Sequence, residues 1–425
     1  MKRKFTSYPL ADFYLFKTKL LDFGIRFSSF CFLDNHEYDF DKSYECIAGA
    51  GVSRFSTTHP STSLSSLTRF QSENHDWIFG HAAYDLKNKI EELTSQNFDG
   101  IQFPESFFFV PEIVFILSKE AVQIGVLEGA NADEIFTDIF NTLAGNESFE
   151  TPKLEGRFSK PEYIKTVQNI QTHVAKGDCY EVCFCQEFFA ENTPVNPVHV
   201  FENLSRLSPN PFSAFYKYEE KFLMCASPER FLKKTSRTII SQPIKGTSKR
   251  NKNNNTDQDE IKQLEFNAKE RAENIMIVDL VRNDLSKICT EGSVSVKEYL
   301  KIYSFPQVHQ MISTISGNLR EDISFAEILS ATFPMGSMTG APKKKAMELI
   351  EKYERTKRGL YSGTVGYIQP DGDFDFNVVI RSVLYNQQNN YLSIQAGSAI
   401  TFKSDPEKEF EECEIKIEAM RKALM

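Results

Sequence analysis

Short apolar runs separated by polar turns dominate the first 150 residues, and such runs predict β-strands. They include residues 27–33, 44–50 and 107–111, followed by a hairpin over 111–127. Trp77, the only tryptophan, begins another strand that leads into a short helical pattern at 87–93. Residues 132–143 have the periodicity of an amphipathic helix. Together these elements predict a β-rich, partly sandwich-like N-terminal region over residues 1–150.

A polar segment at residues 145–160 is the best candidate for a linker to the remaining region, residues 155–425. Ser159 and Glu162 have capping-box spacing with Pro161 in the first turn, so a helix is predicted to begin there. Further along, the pattern predicts a hairpin over 231–240, an Asn-rich loop over 250–260, and long helices over 258–285 and 406–424. Phe266 and Ile277 are predicted to share one stripe of the first long helix.

The composition is that of an ordinary globular protein, with 41% hydrophobic and 25% charged residues among 425. A net charge of -9 and a pI near 5.5 argue against nucleic acid as a partner. No run approaches the ~20 apolar residues of a membrane span. The eight cysteines lack zinc-site spacing and no secretory signal opens the chain, so we expect a cytoplasmic protein with free thiols.

Two residues at predicted turns have side chains suited to catalysis. Glu229 lies in Ser-Pro-Glu-Arg-Phe and Lys245 in Pro-Ile-Lys-Gly-Thr, and the hairpin between them would place the two side by side. A carboxyl group and an amine are common proton donors and nucleophiles. Taken alone, the pair is more simply explained as solvated surface charges.

Two pairs of glutamates have the spacing of one helical turn. Glu270 and Glu273 lie beside apolar positions on the first long helix, and Glu409 and Glu412 repeat the spacing on the second. Burying paired carboxylates without a cation is costly, and two such pairs offer four oxygen ligands to Mg²⁺. For the second pair alone, a solvated acidic face is the simpler explanation, with Glu412 and Lys416 as a helical ion pair.

Two turn-rich segments and one arginine indicate an anionic ligand. Residues 334–342 precede a helix near Lys343, and backbone N–H groups there can hold a carboxylate or phosphate. Residues 395–400 follow a predicted strand and offer a similar nest. Arg381 interrupts the strand-like run 377–384; such an arginine is usually solvated, but a buried one suits bidentate carboxylate binding. The residues alone indicate an enzyme with an anionic substrate and do not name the reaction.

The order and spacing of these motifs resemble those of the chorismate-utilising enzymes over about residues 155–425. The motifs lie at 227–231, 243–247, 272–284, 336–343, 361–367 and 405–409, whereas the N-terminal third matches weakly, mainly at 77–86. The resemblance implies an α+β fold with two large β-sheets packed as a sandwich, helices on the outside and the site between the sheets. It implies chorismate as substrate and Mg²⁺ as cofactor, with these ligands: Glu270, Glu273, Glu409 and Glu412.

The resemblance also implies which residues face the substrate. Arg381 is expected to bind the enolpyruvyl carboxylate, with Tyr361 beside the substrate. Other substrate-facing positions implied in this way are Gly246, Thr247, His309, Thr339, Gly397 and Ala399. Ala399 departs from the family, which usually has Gly there; alanine is tolerated if only its N–H contacts the substrate.

Lys245 decides the subfamily, because anthranilate synthases usually carry Ala at this position. With lysine at this position the chain resembles the aminodeoxychorismate synthases, in which that lysine attacks C2 of the ring while the C4 hydroxyl leaves. The resemblance implies that Glu229 protonates the leaving hydroxyl. The attacking amine must be neutral, and a desolvated site is expected to lower its pKa. Glu181 stands where isochorismate and salicylate synthases carry a water-activating Lys, which argues against those, and where amine-transferring members usually carry Gln.

The resemblance therefore implies that ammonia attacks C4 and gives 4-amino-4-deoxychorismate, toward 4-aminobenzoate and folate. The sequence has no Gly-x-Cys-x-Gly glutaminase motif, so ammonia is expected from a separate glutamine amidotransferase subunit or from solution. Two alternatives stay open: anthranilate synthase component I, and a non-catalytic paralogue that only scaffolds a glutaminase. The joint presence of Glu229, Lys245 and the four glutamates disfavours the scaffold.

Overall fold

The computed structural model describes residues 3–39, 41–57, 64–143, 145, 149–251, 254–305 and 308–425. Within these ranges the α-helices are Phe13–Gly24 (α1), Ser65–Glu73 (α2), Lys87–Ile90 (α3), Ala132–Asn141 (α4), Lys160–Ala175 (α5), Pro197–Leu207 (α6), Asn254–Phe266 (α7), Ala268–Ser286 (α8), Phe325–Thr332 (α9), Lys343–Tyr353 (α10) and Pro406–Ala423 (α11). Short 3₁₀ turns lie at Tyr84–Leu86 and Gly336–Met338. No helix of these described ranges is long and apolar enough to cross a membrane.

The β-strands of the same ranges overlap the predicted apolar runs at 27–33, 44–50 and 107–111. They are Lys4–Pro9 (β1), Ser29–Asp34 (β2), Cys46–Ala50 (β3), Arg54–Thr57 (β4), Ile78–Ala82 (β5), Ser106–Val110 (β6), Ile113–Leu117 (β7), Ala121–Val126 (β8), Glu155–Gly156 (β9), Glu181–Ala190 (β10), Phe212–Tyr218 (β11), Lys221–Ser227 (β12), Arg230–Thr235 (β13), Thr238–Gln242 (β14), Ile244–Lys249 (β15), Ser295–Ser304 (β16), Val308–Asn318 (β17), Gly340–Ala341 (β18), Thr364–Ile368 (β19), Phe374–Asn377 (β20), Ser382–Asn386 (β21) and Tyr391–Ile400 (β22).

The strands form two large antiparallel sheets, which confirms the predicted α+β sandwich. Sheet 1 has the order β1-β8-β7-β3-β2-β11-β12-β21-β22-β10-β18, with β9 beside β10. Sheet 2 has the order β15-β17-β14-β13-β20-β19-β5-β6-β4, with β16 beside β17. One hydrophobic core joins the sheets, where His81 of sheet 2 bonds to the hydroxyl of Tyr216 in sheet 1 at 2.9 Å. The other core packs α1, α5, α6, α10 and α11 on the outside of sheet 1.

The N-terminal region supplies strands to both sheets. β2 pairs with β11 in sheet 1, and β5 pairs with β19 in sheet 2. Residues 1–150 and 155–425 therefore share their sheets, and their division into two units remains a prediction from sequence. The hairpins β7–β8 and β13–β14 and the Ser159 capping box of α5 are confirmed.

The predicted helix over 258–285 is wrong, because α7 and α8 are separate helices. Asn267 breaks the run: its side chain accepts hydrogen bonds from the backbone N–H groups of Lys269 and Glu270 and so caps α8. As a result Phe266 is 74% exposed while Ile277 is fully buried, and the two do not share a stripe. The predicted loop over 250–260 is also wrong in its second half, which begins α7.

Two segments near the sheets differ from prediction in a way that affects the site. Residues 395–400 are not a nest but the last part of β22, paired with β10. The run 377–384 is not one strand, because β20 belongs to sheet 2 and β21 to sheet 1. The chain crosses between the sheets there, and Arg381 lies in the crossing with a positive φ of 54°. The run is apolar because the crossing is buried, as at Val378 and Val379.

Candidate active site

Lys245 and Glu181 form an ion pair between the two sheets. Lys245 lies on β15 of sheet 2, Glu181 begins β10 of sheet 1, and Nζ donates to Oε1 at 3.1 Å. The lysine side chain is 12% exposed and the glutamate side chain 1%. Burial alone lowers the pKa of Lys245, but the negative charges of Glu181 and Glu273 outweigh it and raise that pKa above its ordinary value. The expectation of a lowered lysine pKa is therefore wrong, because the neighbouring carboxylates outweigh desolvation.

Glu229 is a buried acid immediately after β12. Its Oε1 accepts a hydrogen bond from Ser337 Oγ at 2.7 Å, and its backbone N–H donates to Ser227 Oγ at 3.2 Å. Burial raises the pKa of Glu229 to about 7, although Ser337 and Lys245 act in the opposite direction. The carboxyl group is consequently protonated below neutral pH, which is the state a proton donor needs.

Contacts from α8 fix the backbone of Lys245. Asn274 Nδ2 donates to the carbonyl oxygens of Lys245, at 3.4 Å, and Met311, at 3.2 Å. Gly246 has a φ of +92°, and a β-carbon there would lie 3.2 Å from Cβ of Glu270. Glycine therefore lets β15 approach α8 closely. Thr247 follows as an exposed residue of the same strand.

A buried ion pair missed by the sequence analysis supports the site from behind. Arg358 Nη2 contacts Glu354 Oε1 at 2.6 Å, and both side chains are almost fully buried. The same guanidinium donates to the carbonyl oxygens of Met338, at 2.6 Å, and Cys183, at 2.7 Å. It thereby joins the segment 336–341 to β10. No pattern in the sequence distinguished these two residues from ordinary helix-end charges.

Thr339 lies within that segment and is fully buried. Its hydroxyl donates to the carbonyl oxygens of Met335, at 3.2 Å, and Gly336, at 3.3 Å, and its own carbonyl accepts from Cys183 N–H at 2.8 Å. The predicted turn before α10 is confirmed. Because its polar groups are occupied, Thr339 shapes the segment, and a direct contact with substrate remains a prediction.

The predicted magnesium ligands lie on α8 and α11, with Lys269 between the two helices. Lys269 Nζ is 3.1 Å from Oε1 of Glu409 and 3.8 Å from Oε1 of Glu273. Glu409 is only 2% exposed, so the solvated-face explanation is wrong for that residue, whereas Glu412 is 43% exposed and pairs with Lys416 at 2.6 Å. Lys269 was not considered in the sequence analysis, since a helical lysine beside acids is usually solvated.

The donor set of these helices fits a hard divalent cation. Oε1 of Glu273 and Oε2 of Glu409 are buried and have no hydrogen-bond partner among the described residues. Burial raises the pKa of Glu273 to about 7 and also raises that of Glu270. Buried carboxylate oxygens without donors are the ligands that Mg²⁺ takes in proteins. Within the described ranges no three acidic, His or Cys side chains form a ready metal cage, and the Mg²⁺ site remains a prediction.

Arg381 is half-buried and contacts α11, whereas Tyr361 is buried and lies beside β10. Arg381 Nη1 donates to the carbonyl oxygen of Lys416 at 3.1 Å, and burial lowers the pKa of its guanidinium. The hydroxyl of Tyr361 is 3.9 Å from Cys185 Sγ. Burial raises the pKa of Tyr361 and keeps the phenol neutral. A half-buried arginine can bind a carboxylate ligand, and this role of Arg381 remains a prediction.

Gly397 and Ala399 lie on β22, where the backbone runs beside β10. A β-carbon at Gly397 would be 2.3 Å from the carbonyl oxygen of Phe184, so only glycine fits there. The Gly397 carbonyl accepts from Lys416 Nζ at 2.7 Å, and the Ala399 carbonyl accepts from Ser404 Oγ at 3.2 Å. Both carbonyl oxygens therefore have partners within the protein, and substrate contact by these residues remains a prediction.

His309 is fully buried on β17, and both ring nitrogens have partners. Nδ1 lies 2.8 Å from Ser304 Oγ, and Nε2 lies 3.0 Å from Oδ1 of Asp257. Asp257 also accepts from Arg250 Nε at 3.1 Å. The structure thus gives His309 a role in joining α7 to β17, and its contact with the substrate stays a prediction.

The structure brings most of the predicted chemical groups to one place. The charge of Lys245 acts on four predicted site carboxylates: Glu229, Glu270, Glu273 and Glu412. Its ion-pair partner Glu181 completes this group from the opposite sheet. The arrangement combines a buried acid, a lysine with an adjacent carboxylate, and acids suited to a cation. Such a site can protonate a leaving group while a nucleophile attacks an anionic substrate.

The fold and these residues define a member of a known family. The chain matches the family described as chorismate binding enzyme over residues 32–422, and it belongs to that family. The match begins at residue 32, so it includes most of the N-terminal region in which the motifs alone are weak.

Curated relatives of the chain carry two names. Aminodeoxychorismate synthase, chloroplastic, of Arabidopsis thaliana is 35% identical over 81% of this chain, and aminodeoxychorismate synthase component 1 of Bacillus subtilis is 30% identical over 81% of this chain and 76% of that protein. Anthranilate synthase component 1 of Saccharolobus solfataricus is 31% identical over 82% of this chain and 80% of that protein. The chain spans less than half of the plant relatives, 30% of a rice protein and 40% of the Arabidopsis one.

A solved structure has the same fold. The crystal structure of anthranilate synthase component I from Streptococcus pneumoniae superposes with a TM-score of 0.74 over 98% of this chain and 92% of that chain. The sequence identity is 24%, so this likeness concerns the fold alone.

Proposed function

We propose that this protein aminates chorismate at C4 to form 4-amino-4-deoxychorismate, using ammonia and Mg²⁺. The observation that carries the proposal is Lys245, a lysine with a 12% exposed side chain in the same site as Glu229, whose pKa of about 7 suits a proton donor. Lysine occupies the position at which the similar anthranilate synthases usually carry Ala. Lys245 can therefore act as a covalent nucleophile at a position where anthranilate synthases usually have no amine.

The residues of the site account for the two displacements in turn. In the first, Lys245 Nζ forms a bond to C2, the two conjugated double bonds of the ring each shift by one position, and the C4–O bond breaks as Glu229 protonates the departing hydroxyl to water. In the second, ammonia attacks C4, both ring double bonds shift back, and the C2–N bond breaks to release the lysine. Glu229, now a carboxylate, takes the extra proton from the new C4 ammonium group. Acid assistance is needed because hydroxide is a poor leaving group.

Other groups of the site would hold the substrate during these steps. Mg²⁺ bound by Glu270, Glu273, Glu409 and Glu412 would neutralise the ring carboxylate of chorismate. Arg381 is half-buried near Tyr361 and would bind the enolpyruvyl carboxylate. Lys269 forms ion pairs with Glu273 and Glu409, and binding of Mg²⁺ to these glutamates would displace its ammonium group.

Ammonia is proposed to come from a separate glutamine amidotransferase subunit, and the product to lead to 4-aminobenzoate and folate. The Bacillus subtilis relative is named as component 1, which fits a protein that works with a second component. Anthranilate synthase component I remains the second candidate because the Saccharolobus relative is similar to the same degree.

Product analysis separates the candidates. The purified chain is incubated with chorismate, Mg²⁺ and ammonium, with and without added aminodeoxychorismate lyase. We expect 4-aminobenzoate only when the lyase is present. Anthranilate formed without the lyase would establish the second candidate instead. No amination product in either arm, at several ammonium concentrations, would favour a non-catalytic scaffold.

A further inference from the structure

We propose that Glu181 is the base that accepts the proton of Lys245 before the lysine attacks, and that it returns this proton when the lysine is expelled. This inference rests on the proposed amination at C4, because only a covalent role requires a neutral Lys245. Glu181 contacts the nucleophile and is therefore assigned to the catalytic machinery. It is also the residue at which the chain departs from the Gln usual in the enzymes it resembles.

The geometry supports direct proton transfer. Lys245 Nζ and Glu181 Oε1 are 3.1 Å apart, within hydrogen-bond distance and with no intervening group. Among the described residues, Glu181 is the one carboxylate within ion-pair distance of that nitrogen. Its second oxygen, Oε2, is buried and has no hydrogen-bond partner in the described ranges. Among these residues, Lys245 is therefore the one group that donates a hydrogen bond to this carboxylate.

The charge balance around Lys245 explains why a base is needed. The titratable groups that face it are Glu181 and Cys183 from β10, Glu229 after β12, Glu270 and Glu273 from α8, and Glu412 from α11. The ion pair with Glu181 holds the lysine as an ammonium ion, which has no lone pair for attack.

The other acids of that group have different partners. Glu229 is bonded to Ser337, and the pair Glu412–Lys416 is closed within α11. Glu273 lies closer to Lys269 of its own helix, at 3.8 Å. Of these acids, only Glu181 accepts a hydrogen bond from Lys245 Nζ, so the proton can pass to Glu181 without movement of either side chain.

Substrate binding is expected to drive the transfer. A contact ion pair loses stabilisation as water is excluded, whereas the neutral amine and carboxylic acid do not carry that desolvation cost. The step moves one proton from Nζ to Oε1 and leaves the total charge unchanged. The amine lone pair then forms the bond to C2. When that bond breaks in the second displacement, the electron pair returns to nitrogen, and Glu181 gives the proton back.

This assignment predicts a distinctive pH dependence. The charged pair and the neutral pair contain the same number of protons, so the fraction of reactive wild-type enzyme does not follow the ionisation of the lysine. In Glu181→Gln the lysine must lose its proton to solvent. Its reactive fraction then rises about tenfold per pH unit below the lysine pKa of the variant. Protonation of Glu229 affects both proteins alike and cancels in the ratio of their rates.

The experiment measures formation of the covalent adduct in the absence of ammonia. Protein, chorismate and Mg²⁺ are mixed, quenched at intervals, and the peptide containing Lys245 is followed by mass spectrometry between pH 6 and 9, a range of about three units chosen to bracket the pKa of Glu229. Leaving out ammonia removes the pH dependence of its own protonation. Thermal unfolding of each variant shows that the fold is retained, and Glu181→Ala provides a second variant without a base.

Two matched variants serve as controls. Glu181→Asp keeps a carboxylate, so its rate relative to wild type is expected to be reduced but independent of pH. Glu187→Gln removes another buried carboxylate of β10, one that binds Arg157 at 2.8 Å and does not contact the lysine. Its relative rate is also expected to be flat across pH.

The outcomes separate the inference from the proposed function. A relative rate for Glu181→Gln and Glu181→Ala that rises about tenfold per pH unit supports the base. A flat relative rate in an enzyme that still forms aminodeoxychorismate overturns Glu181 alone. Anthranilate as the wild-type product, with no adduct on Lys245, overturns the proposed function and this inference together.

Discussion

The ammonium group of Lys245 lies 3.1 Å from the carboxylate of Glu181, although the two residues belong to opposite sheets. This ion pair and the His81–Tyr216 hydrogen bond are polar links across a sandwich whose core is mainly apolar. The ion pair serves stability only as a pair, because removing one partner leaves a buried charge without compensation.

A double-mutant cycle tests the stability of this pair. We expect Lys245→Met to lower the free energy of unfolding by about 3 kcal/mol, since Glu181 is left buried and unpaired. Lys245→Met combined with Glu181→Leu is expected to lie within about 1 kcal/mol of wild type, because apolar side chains replace both charges. Denaturant unfolding at neutral pH measures all four proteins. Additive losses in the double variant would show that the contact does not couple the sheets.

Removal of the lysine amine tests the covalent step. In Lys245→Ala, formation of aminodeoxychorismate is expected to fall below detection because C2 has no nucleophile. Lys249→Ala is the matched control, since Lys249 is an exposed lysine of the same strand. Its rate is expected to match that of wild type. Full activity in Lys245→Ala, measured by coupled formation of 4-aminobenzoate, would show that ammonia attacks without a covalent intermediate.

The elements that the sequence predicts well are those set by local pattern. The β13–β14 hairpin and the capped start of α5 follow from neighbouring residues, and both are confirmed. The site is predicted less completely, because its contacts join distant strands. Nothing in the sequence specifies that Glu181 pairs with Lys245 across the sandwich, or that Arg358 fixes the segment 336–341. Asn267 is a typical N-cap residue, but the helical periodicity on both sides of it led to the prediction of one continuous helix.

The raised pKa of Glu229 makes amination sensitive to alkaline pH. The acid must be protonated to release the C4 hydroxyl, and its pKa is about 7 because of burial. We expect kcat/KM for chorismate to be constant below pH 7 and to fall about tenfold per pH unit above it, at fixed free ammonia. Glu229→Gln is expected to lower the rate by about 10²- to 10⁴-fold and to remove this alkaline limb. If kcat/KM of that variant still fell above pH 7, the group that loses its proton there would not be Glu229.

Ser337 is expected to influence the pH above which kcat/KM falls. Its hydroxyl donates to Glu229 Oε1 at 2.7 Å, and this bond stabilises the carboxylate form and lowers its pKa. Ser337→Ala removes the donor, so the fall in kcat/KM is expected to begin at higher pH than in wild type. Ser337→Thr keeps the hydroxyl and is the control. A shift of the limb to lower pH would mean that Ser337 acts on the protonated form instead.

Lys269 and the divalent cation are expected to compete for the same carboxylates. Nζ lies 3.1 Å from Glu409 and 3.8 Å from Glu273, and both glutamates have a buried oxygen without a hydrogen-bond partner among the described residues. In Lys269→Met the acids lose their internal cation, so the metal-free protein is expected to have a lower Tm than wild type. Addition of Mg²⁺ should then raise the Tm more than in wild type, because the metal no longer displaces an ammonium group. Lys408→Met, a lysine exposed on α11, provides the control for loss of one positive charge. Equal Mg²⁺-dependent shifts in all three proteins, measured after treatment with chelator, would place the metal away from Glu273 and Glu409.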